Sequence, residues 1–235
     1  MIADIKPGET VLVHAAAGGL GVYAVQIARA VNCNVIGTVG SDTKMKLVES
    51  LLQGPNGMMR KGEGVVRYDQ DGWEKKVVDI CKRVGKDGVD VVIDTVGLVT
   101  RSIRCTTFNG RIVVVGFAAR TGTGKDKIQE LETVAVNRLL LKQIKLLGYR
   151  YGETGRRMPA ASRDMWTEMS ARLRDDKKQM IRPVVFKQYR GLDQVPVAME
   201  ALSNREVWGK AVVEVREEQA AVRELRDRYT QLAKL

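Results

Sequence analysis

The segment ETVLVHAAAGGLG, from Glu9 to Gly21, constrains what this chain can fold into more than any other. An apolar run, Val11–His14, leads directly into a turn of small residues that contains Gly18, Gly19 and Gly21. From Leu20 to Val31, the apolar residues Ala24, Ile27, Ala28 and Val31 recur at the i, i+3, i+4, i+7 spacing of an amphipathic helix. Strand, glycine turn and helix in immediate succession are the context of a dinucleotide fingerprint. A turn bare of side chains lets backbone N–H groups approach a pyrophosphate, and the helix N-terminus adds its partial positive charge. The backbone of Ala17, Gly18, Gly19, Leu20 and Gly21 is the expected cradle. The pattern reads Ala16-x-Gly18-x-x-Gly21, with alanine in place of the first glycine. An ordinary tight turn would read the same way, so the flanking strand and helix carry the inference.

The chain beyond this turn keeps alternating. Asn34–Val39 reads as a second strand, and a helix capped by Ser41 or Asp42 follows with Met45, Val48 and Leu52 on one face. Residues 53–64, QGPNGMMRKGEG, read as an irregular, mobile loop, and Val65–Tyr68 as a third strand. Val77, Ile80, Cys81 and Val84 mark the next helix. Val89–Ile93, ending in Asp94, is a β-branched run broken only by Asp90, of the kind buried on both faces of a parallel sheet. A short helix within Leu98–Thr106, a strand at Gly110–Phe117, a helix around Leu131–Leu141 and a last strand at Ile144–Tyr149 complete six strands. The predicted fold is α/β, a Rossmann-type doubly wound parallel sheet with strand order 3-2-1-4-5-6. Residues 1–155 form this dinucleotide-binding domain. In residues 156–215 a helix on Ala160–Arg174, an extended Ile181–Phe186, a helix through Leu192–Leu202 and a strand at Lys210–Val215 are expected. Residues 216–235 are a charged helical tail with Val222, Leu225, Tyr229 and Leu232 on one stripe.

Composition narrows the setting. No apolar run approaches the roughly 20 residues that span a bilayer, and MIADIKPGE has no apolar core of a secretory signal. Cys33, Cys81 and Cys105 form no CxxC pair, which suits free thiols in a reducing, cytoplasmic setting. Net charge is +11, and 150–190 holds eleven Lys/Arg against five Asp/Glu. That excess is either a polyanion footprint or a solvated face of a basic protein.

Several blocks together resemble one family: AAAGGLGVYAVQIARA, VIGTVGSDTK, GVDVVIDTVG, GRIVVVGFAA, NRLLLKQIKLLG and WGKAVVEV. In serial order, from about Lys6 to Val215, they are similar to the zinc-independent quinone oxidoreductases, the zeta-crystallin-like members of the medium-chain dehydrogenase/reductases. The loop 53–64 departs from the pattern and the tail lies outside it. Members of that family carry a GroES-like catalytic domain before this point. The resemblance therefore implies the cofactor half of an oxidoreductase, whether as a short form, a truncated reading frame or an excised piece. Residues 156–215 would include the remnant of the catalytic domain.

An NAD-preferring fold places Asp or Glu at the end of the second strand to hold the ribose 2′-OH. Here Val39 occupies that position, and Ser41 and Lys44 follow with a hydroxyl and a cation. The resemblance implies that Ser41, Lys44 and Tyr68 grip the 2′-phosphate of NADPH, whereas Asp42 would argue for NADH if it reached the ribose. The resemblance further implies nicotinamide contacts at Val96, Gly97, Gly116 and Phe117; Asn204 and Lys210 are further candidates for reaching the pyrophosphate or ribose. Catalytic residues and metal ligands are expected to be absent: His14 reads as a core residue, and one histidine with three scattered cysteines makes no zinc set or nucleophilic triad. The resemblance implies reduction of a quinone or α,β-unsaturated carbonyl, governed largely by positioning. Three functions stay open: the NADPH-binding part of such a reductase, a non-catalytic NADPH-binding module, or an RNA-binding surface. Pairing of the exposed edge strand Ile144–Tyr149 across a two-fold axis would give a homodimer.

Overall fold

The computed structural model describes residues 3–117, 132–174 and 181–215. The chain divides into two compact units, Met1–Arg157 and Met158–Leu235. In the first unit the strands β1 (Thr10–Val13), β2 (Asn34–Val39), β3 (Gly64–Arg67), β4 (Val89–Asp94), β5 (Thr106–Val114) and β6 (Lys145–Gly148) alternate with helices. The helices are α1 (Gly21–Ala30), α2 (Asp42–Leu52), α3 (Trp73–Lys82), α4 (Val99–Cys105), α5 (Val136–Lys142) and α6 (Tyr151–Arg157). All six strands are parallel in the order β3-β2-β1-β4-β5-β6, as the alternation predicts. Succession reverses between β1 and β4, so the crevice above their carboxyl ends is the topological switch point.

Burial explains the strand sequences. Val11, Leu12, Val13, Val35, Ile36, Val91 and Val92 are fully enclosed, because helices cover both faces of the sheet and leave no place for alternation with polar residues. Trp73, Val77 and Cys81 of α3 and Ile103 and Cys105 of α4 pack on Leu12, Ile36, Val92 and Ile112 from one side. Gly37 in β2 admits the other layer, since a Cβ there would stand 2.8 Å from the Ala16 methyl and 2.9 Å from Val48 Cγ1.

Three local differences from the sequence reading have physical causes. β5 begins at Thr106, four residues before the expected Gly110, and absorbs Asn109 (φ 59°) through a shift in its register with β4. Asn-Gly reads as a turn, but here pairing with β4 overrides it. α6 has no counterpart in the sequence reading, because YGETGRR carries two glycines; Glu153 steadies it by binding both Arg156 and Arg157 one turn on. The extended segment after Pro183 becomes a strand only from Val185.

The loop between α2 and β3 is anchored at its far end. Glu63, fully buried, receives Arg29 Nε at 3.1 Å and the Arg60 N–H at 3.0 Å, while Arg29 Nη1 reaches the Leu51 carbonyl at 2.9 Å. Burial pushes the Glu63 carboxyl above its ordinary value, against the pull of the Arg60 amide and Arg29. Glu63→Ala should therefore lower stability by about 2 kcal/mol, less than a wholly buried pair because Arg29 keeps some solvent. A urea transition that does not move would show that the loop is held otherwise.

The second unit holds α7 (Pro159–Arg174), β7 (Val185–Arg190), a 3-10 turn (Leu192–Gln194), α8 (Val195–Ser203) and β8 (Lys210–Glu214). β7 and β8 pair in parallel. The tail 216–235, and with it the predicted apolar stripe, lies outside the described residues, as do 118–131 and 175–180. Among the described residues no helix is long and apolar enough to cross a membrane.

Candidate functional site

Five strand ends of the first unit carry the expected site residues. β1 delivers the chain into Ala15, in the left-handed region at φ 47°, and the Gly18 N–H closes the turn on the Ala15 carbonyl at 2.7 Å. The Ala16 N–H is spent on the Thr38 carbonyl of β2 at 2.9 Å. Gly21 then starts α1 so close to this turn that a Cβ would lie 2.1 Å from the Ala15 oxygen. Ala16, in the place of the first glycine, is fully buried with its methyl over Gly37. The α1 N-terminus has no side-chain cap and no acidic residue in its first turn. Among the described residues no acceptor meets the N–H groups of Gly19 and Leu20. A bare, uncapped turn of this kind fits a pyrophosphate.

At the end of β2, Val39 is buried and no carboxylate occupies its position. Ser41 is the N-cap of α2, its hydroxyl accepting the Lys44 N–H at 3.4 Å, which decides between the two expected caps. The Tyr68 N–H meets the Val39 carbonyl at 3.1 Å, and its ring lies over Gly40 with the phenol oxygen 2.7 Å from where a Cβ would stand. Ser41, Lys44 and Tyr68 are thus gathered at one corner. Arg67 is there too, which the sequence reading overlooks. It pairs with Val39 across the ladder, holds Asp69 with Nε (2.8 Å) and Nη2 (2.5 Å), and Asp42 with Nη1 (2.6 Å). Its hydrogen bond keeps the Asp69 carboxyl below the ordinary carboxylate range.

At the end of β4 the Asp94 carboxylate, fully buried, accepts the N–H groups of Val96 (2.9 Å), Gly97 (2.8 Å) and Leu98 (2.7 Å). Gly97 takes φ 88°, which few other residues tolerate. The amides of Val96 and Gly97 are thereby committed within the chain. Gly116, just beyond β5, comes close to Thr95, where an added Cβ would lie 3.3 Å from its carbonyl oxygen, and Phe117 beside it is exposed. Lys210 and Asn204 belong to the second unit: Lys210 opens β8, and Asn204 caps the end of α8.

His14 sits beneath the site. Its Nδ1 meets Thr38 Oγ1 and its Nε2 meets Ser102 Oγ, each at 2.8 Å. Ser102 donates its own proton to the Leu98 carbonyl at 2.7 Å, so its oxygen accepts from Nε2–H, and Nδ1 accepts from Thr38. Burial drives the imidazole pKa down to about 4 against the opposing charge of Asp94. This neutral ring, edge-on to Trp73 at 5.3 Å, is a packing element. Among the described residues no group of three or more His, Cys, Asp and Glu could hold a metal ion. Burial also pushes the thiols of Cys81 and Cys105 up to about 12, far from the thiolate form a metal takes. The basic excess of 150–190 is divided between the two units, and Arg156 and Arg157 both turn to Glu153.

Comparison with known proteins bears on this geometry. Residues 19–172 match the family model described as zinc-binding dehydrogenase. Quinone oxidoreductase-like protein 2 of Rattus norvegicus is 39% identical over 153 residues, covering 64% of this chain and 38% of the relative. The Bos taurus protein of the same name is 31% identical over 218 residues, covering 91% of this chain and 55% of that protein. The chain thus spans about half, or less, of the length of the curated relatives it matches. Among solved structures, the quinone oxidoreductase of Thermus thermophilus, described also in complex with NADPH, superimposes with a TM-score of 0.66 at 26% identity, over 91% of this chain and 60% of that one. With the family model covering well over half of the sequence and the six-stranded parallel sheet beneath it, the chain belongs to the zinc-binding dehydrogenase family of medium-chain dehydrogenase/reductases and is quinone oxidoreductase-like within it.

Proposed function

We propose that this chain is the NADPH-binding part of an oxidoreductase that reduces a quinone or an α,β-unsaturated carbonyl compound without zinc. The observation that carries the reading is the corner at the end of β2, where Val39 supplies no carboxylate, the Ser41 hydroxyl caps α2 in the turn that carries Lys44, and the Tyr68 phenol lies against Gly40. The residues present fit the cofactor: the turn at Gly18–Gly21 is a cradle that a Cβ would fill, and the α1 N-terminus above it is uncapped. Ala17, Gly18, Gly19, Leu20 and Gly21 would hold the pyrophosphate, and Ser41, Lys44 and Tyr68 the 2′-phosphate. Val96, Gly97, Gly116 and Phe117 would flank the nicotinamide. When bound, the cofactor supplies the hydride. The protein's part is positioning: Asp94 fixes the 96–98 turn, and Thr95 Oγ1 ties it to the His14 carbonyl at 3.1 Å.

Residues 1–155 would be the cofactor domain and 156–215 would include part of the catalytic one, with turnover requiring the rest of the substrate pocket. Among the described residues β6 pairs only with β5 within the sheet, and this edge suits a two-fold homodimer. The test is a titration of residues 1–235 with NADPH and with NADH, followed by tryptophan fluorescence, then addition of a quinone. NADPH is expected to bind at least tenfold more tightly than NADH, with little or no oxidation on adding quinone. Binding of neither nucleotide, or preference for NADH, would overturn the reading; rapid turnover would overturn its incomplete-pocket part.

A further inference from the structure

We infer that Arg67 sets the nucleotide preference by holding Asp42 in an ion pair, which occupies and neutralises its carboxylate beside the end of β2. This rests on the NADPH reading above and adds to it a residue of β3. The difficulty it resolves is Asp42 itself. Its carboxylate stands one residue after the Ser41 cap, and its side chain is 81% exposed, so by position it is an acid at the ribose end of the proposed site. An unrestrained carboxylate there has two effects of the same sign. It accepts from a ribose diol, which favours NADH, and it repels a 2′-phosphate, which disfavours NADPH.

The geometry shows why Asp42 does not act this way. Arg67 lies on β3 opposite Val39, the last residue of β2. Two of its N–H groups are fixed on the two oxygens of Asp69, at 2.8 and 2.5 Å, which locks the plane of the guanidinium. The third nitrogen then projects at Asp42 and binds Oδ1 at 2.6 Å. The Arg67 side chain is only 19% exposed, so the fork is held by its surroundings as well as by Asp69. Asp69 orients the arginine, and the arginine turns Asp42 toward β3. A lysine could neutralise Asp42 but could not be oriented by Asp69 in the same fashion.

The experiment measures Kd for NADPH and NADH by fluorescence titration on wild type, Arg67→Gln, Asp42→Asn and the double variant, with thermal unfolding of each as a check on folding. Arg67→Gln should weaken NADPH binding by about tenfold, the effect of one uncompensated charge at short range, and tighten NADH binding severalfold. Asp42→Asn alone should leave NADPH binding within about twofold, because its charge is already compensated. The double variant should regain most of the NADPH affinity, since the freed carboxylate is what causes the loss. Equal weakening of both nucleotides in Arg67→Gln would overturn the inference, as would a double variant as weak as the single one. Should Arg67→Gln lose its fold, Asp69→Asn, which unlocks the arginine without removing it, is expected to shift the preference in the same direction, and no shift there would count against the inference. If wild type binds NADPH and Arg67→Gln changes nothing, this inference fails while the NADPH reading stands. If wild type binds no NADPH, both fall together.

Discussion

Between pH 6.5 and 4 the folded protein should lose about 3 kcal/mol of stability through one side chain, His14. The sign follows from which state binds the proton. In the unfolded chain the imidazole titrates near 6.5, whereas burial holds it neutral in the fold until about pH 4. Above 6.5 both states carry a neutral ring and nothing is lost. As pH falls through 6.5 the unfolded state gains a proton that the native state refuses, and unfolding becomes progressively easier until about pH 4. The cost of protonating the folded form is concrete, because Nδ1 already accepts from Thr38 and a second N–H would face that hydroxyl. His14→Gln keeps one donor and one acceptor and removes the titration. Urea midpoints at pH 7, 5.5 and 4.5 should therefore fall more steeply for wild type than for the variant, so that a variant that starts lower is approached by wild type as the pH falls. Parallel decline of the two would assign the acid sensitivity to other groups.

Gly21→Ala is expected to have the larger effect on ligand binding. A methyl group at that position would stand 2.1 Å from the Ala15 carbonyl oxygen and 2.7 Å from Ala16 Cα, both backbone atoms that no rotamer change can move. Either α1 shifts outward or the turn opens, at about 3 kcal/mol of stability, and NADPH binding should fall below detection. Gly148→Ala in β6 is the control, since an added Cβ there meets nothing within 4 Å. Its stability and binding should match wild type. Retained NADPH affinity in Gly21→Ala would separate the cofactor from the glycine turn altogether.

The architecture is legible in the sequence because its signals are local. Strands enclosed on both faces, such as Val89–Asp94 between its two aspartates, are mostly β-branched and apolar, and the alternation with helices leaves few topologies open. The glycine turn is visible for the same reason, and so is a cap at Ser41 or Asp42, between which the folded helix selects Ser41. What escapes depends on juxtaposition across the sheet. Arg67 reads as an ordinary strand residue until the ladder sets it opposite Val39 with Asp42 within reach. Asp94 reads as the end of a strand, and only the curl of 96–98 reveals that it binds three amides. α6 escapes because the support that Glu153 gives to Arg156 and Arg157 outweighs the weak helix propensity of its two glycines.

The pairing of Ala16 with Gly37 bears on how a glycine fingerprint should be understood. The first glycine of such a motif is a demand for empty volume between the turn and the neighbouring strand, and this chain meets that demand from the other side. One methyl fits in the gap, and it matters little to the backbone which strand supplies it. The rule is then a conservation of space shared by two segments twenty-one residues apart, and a pattern written along one of them records only half of it.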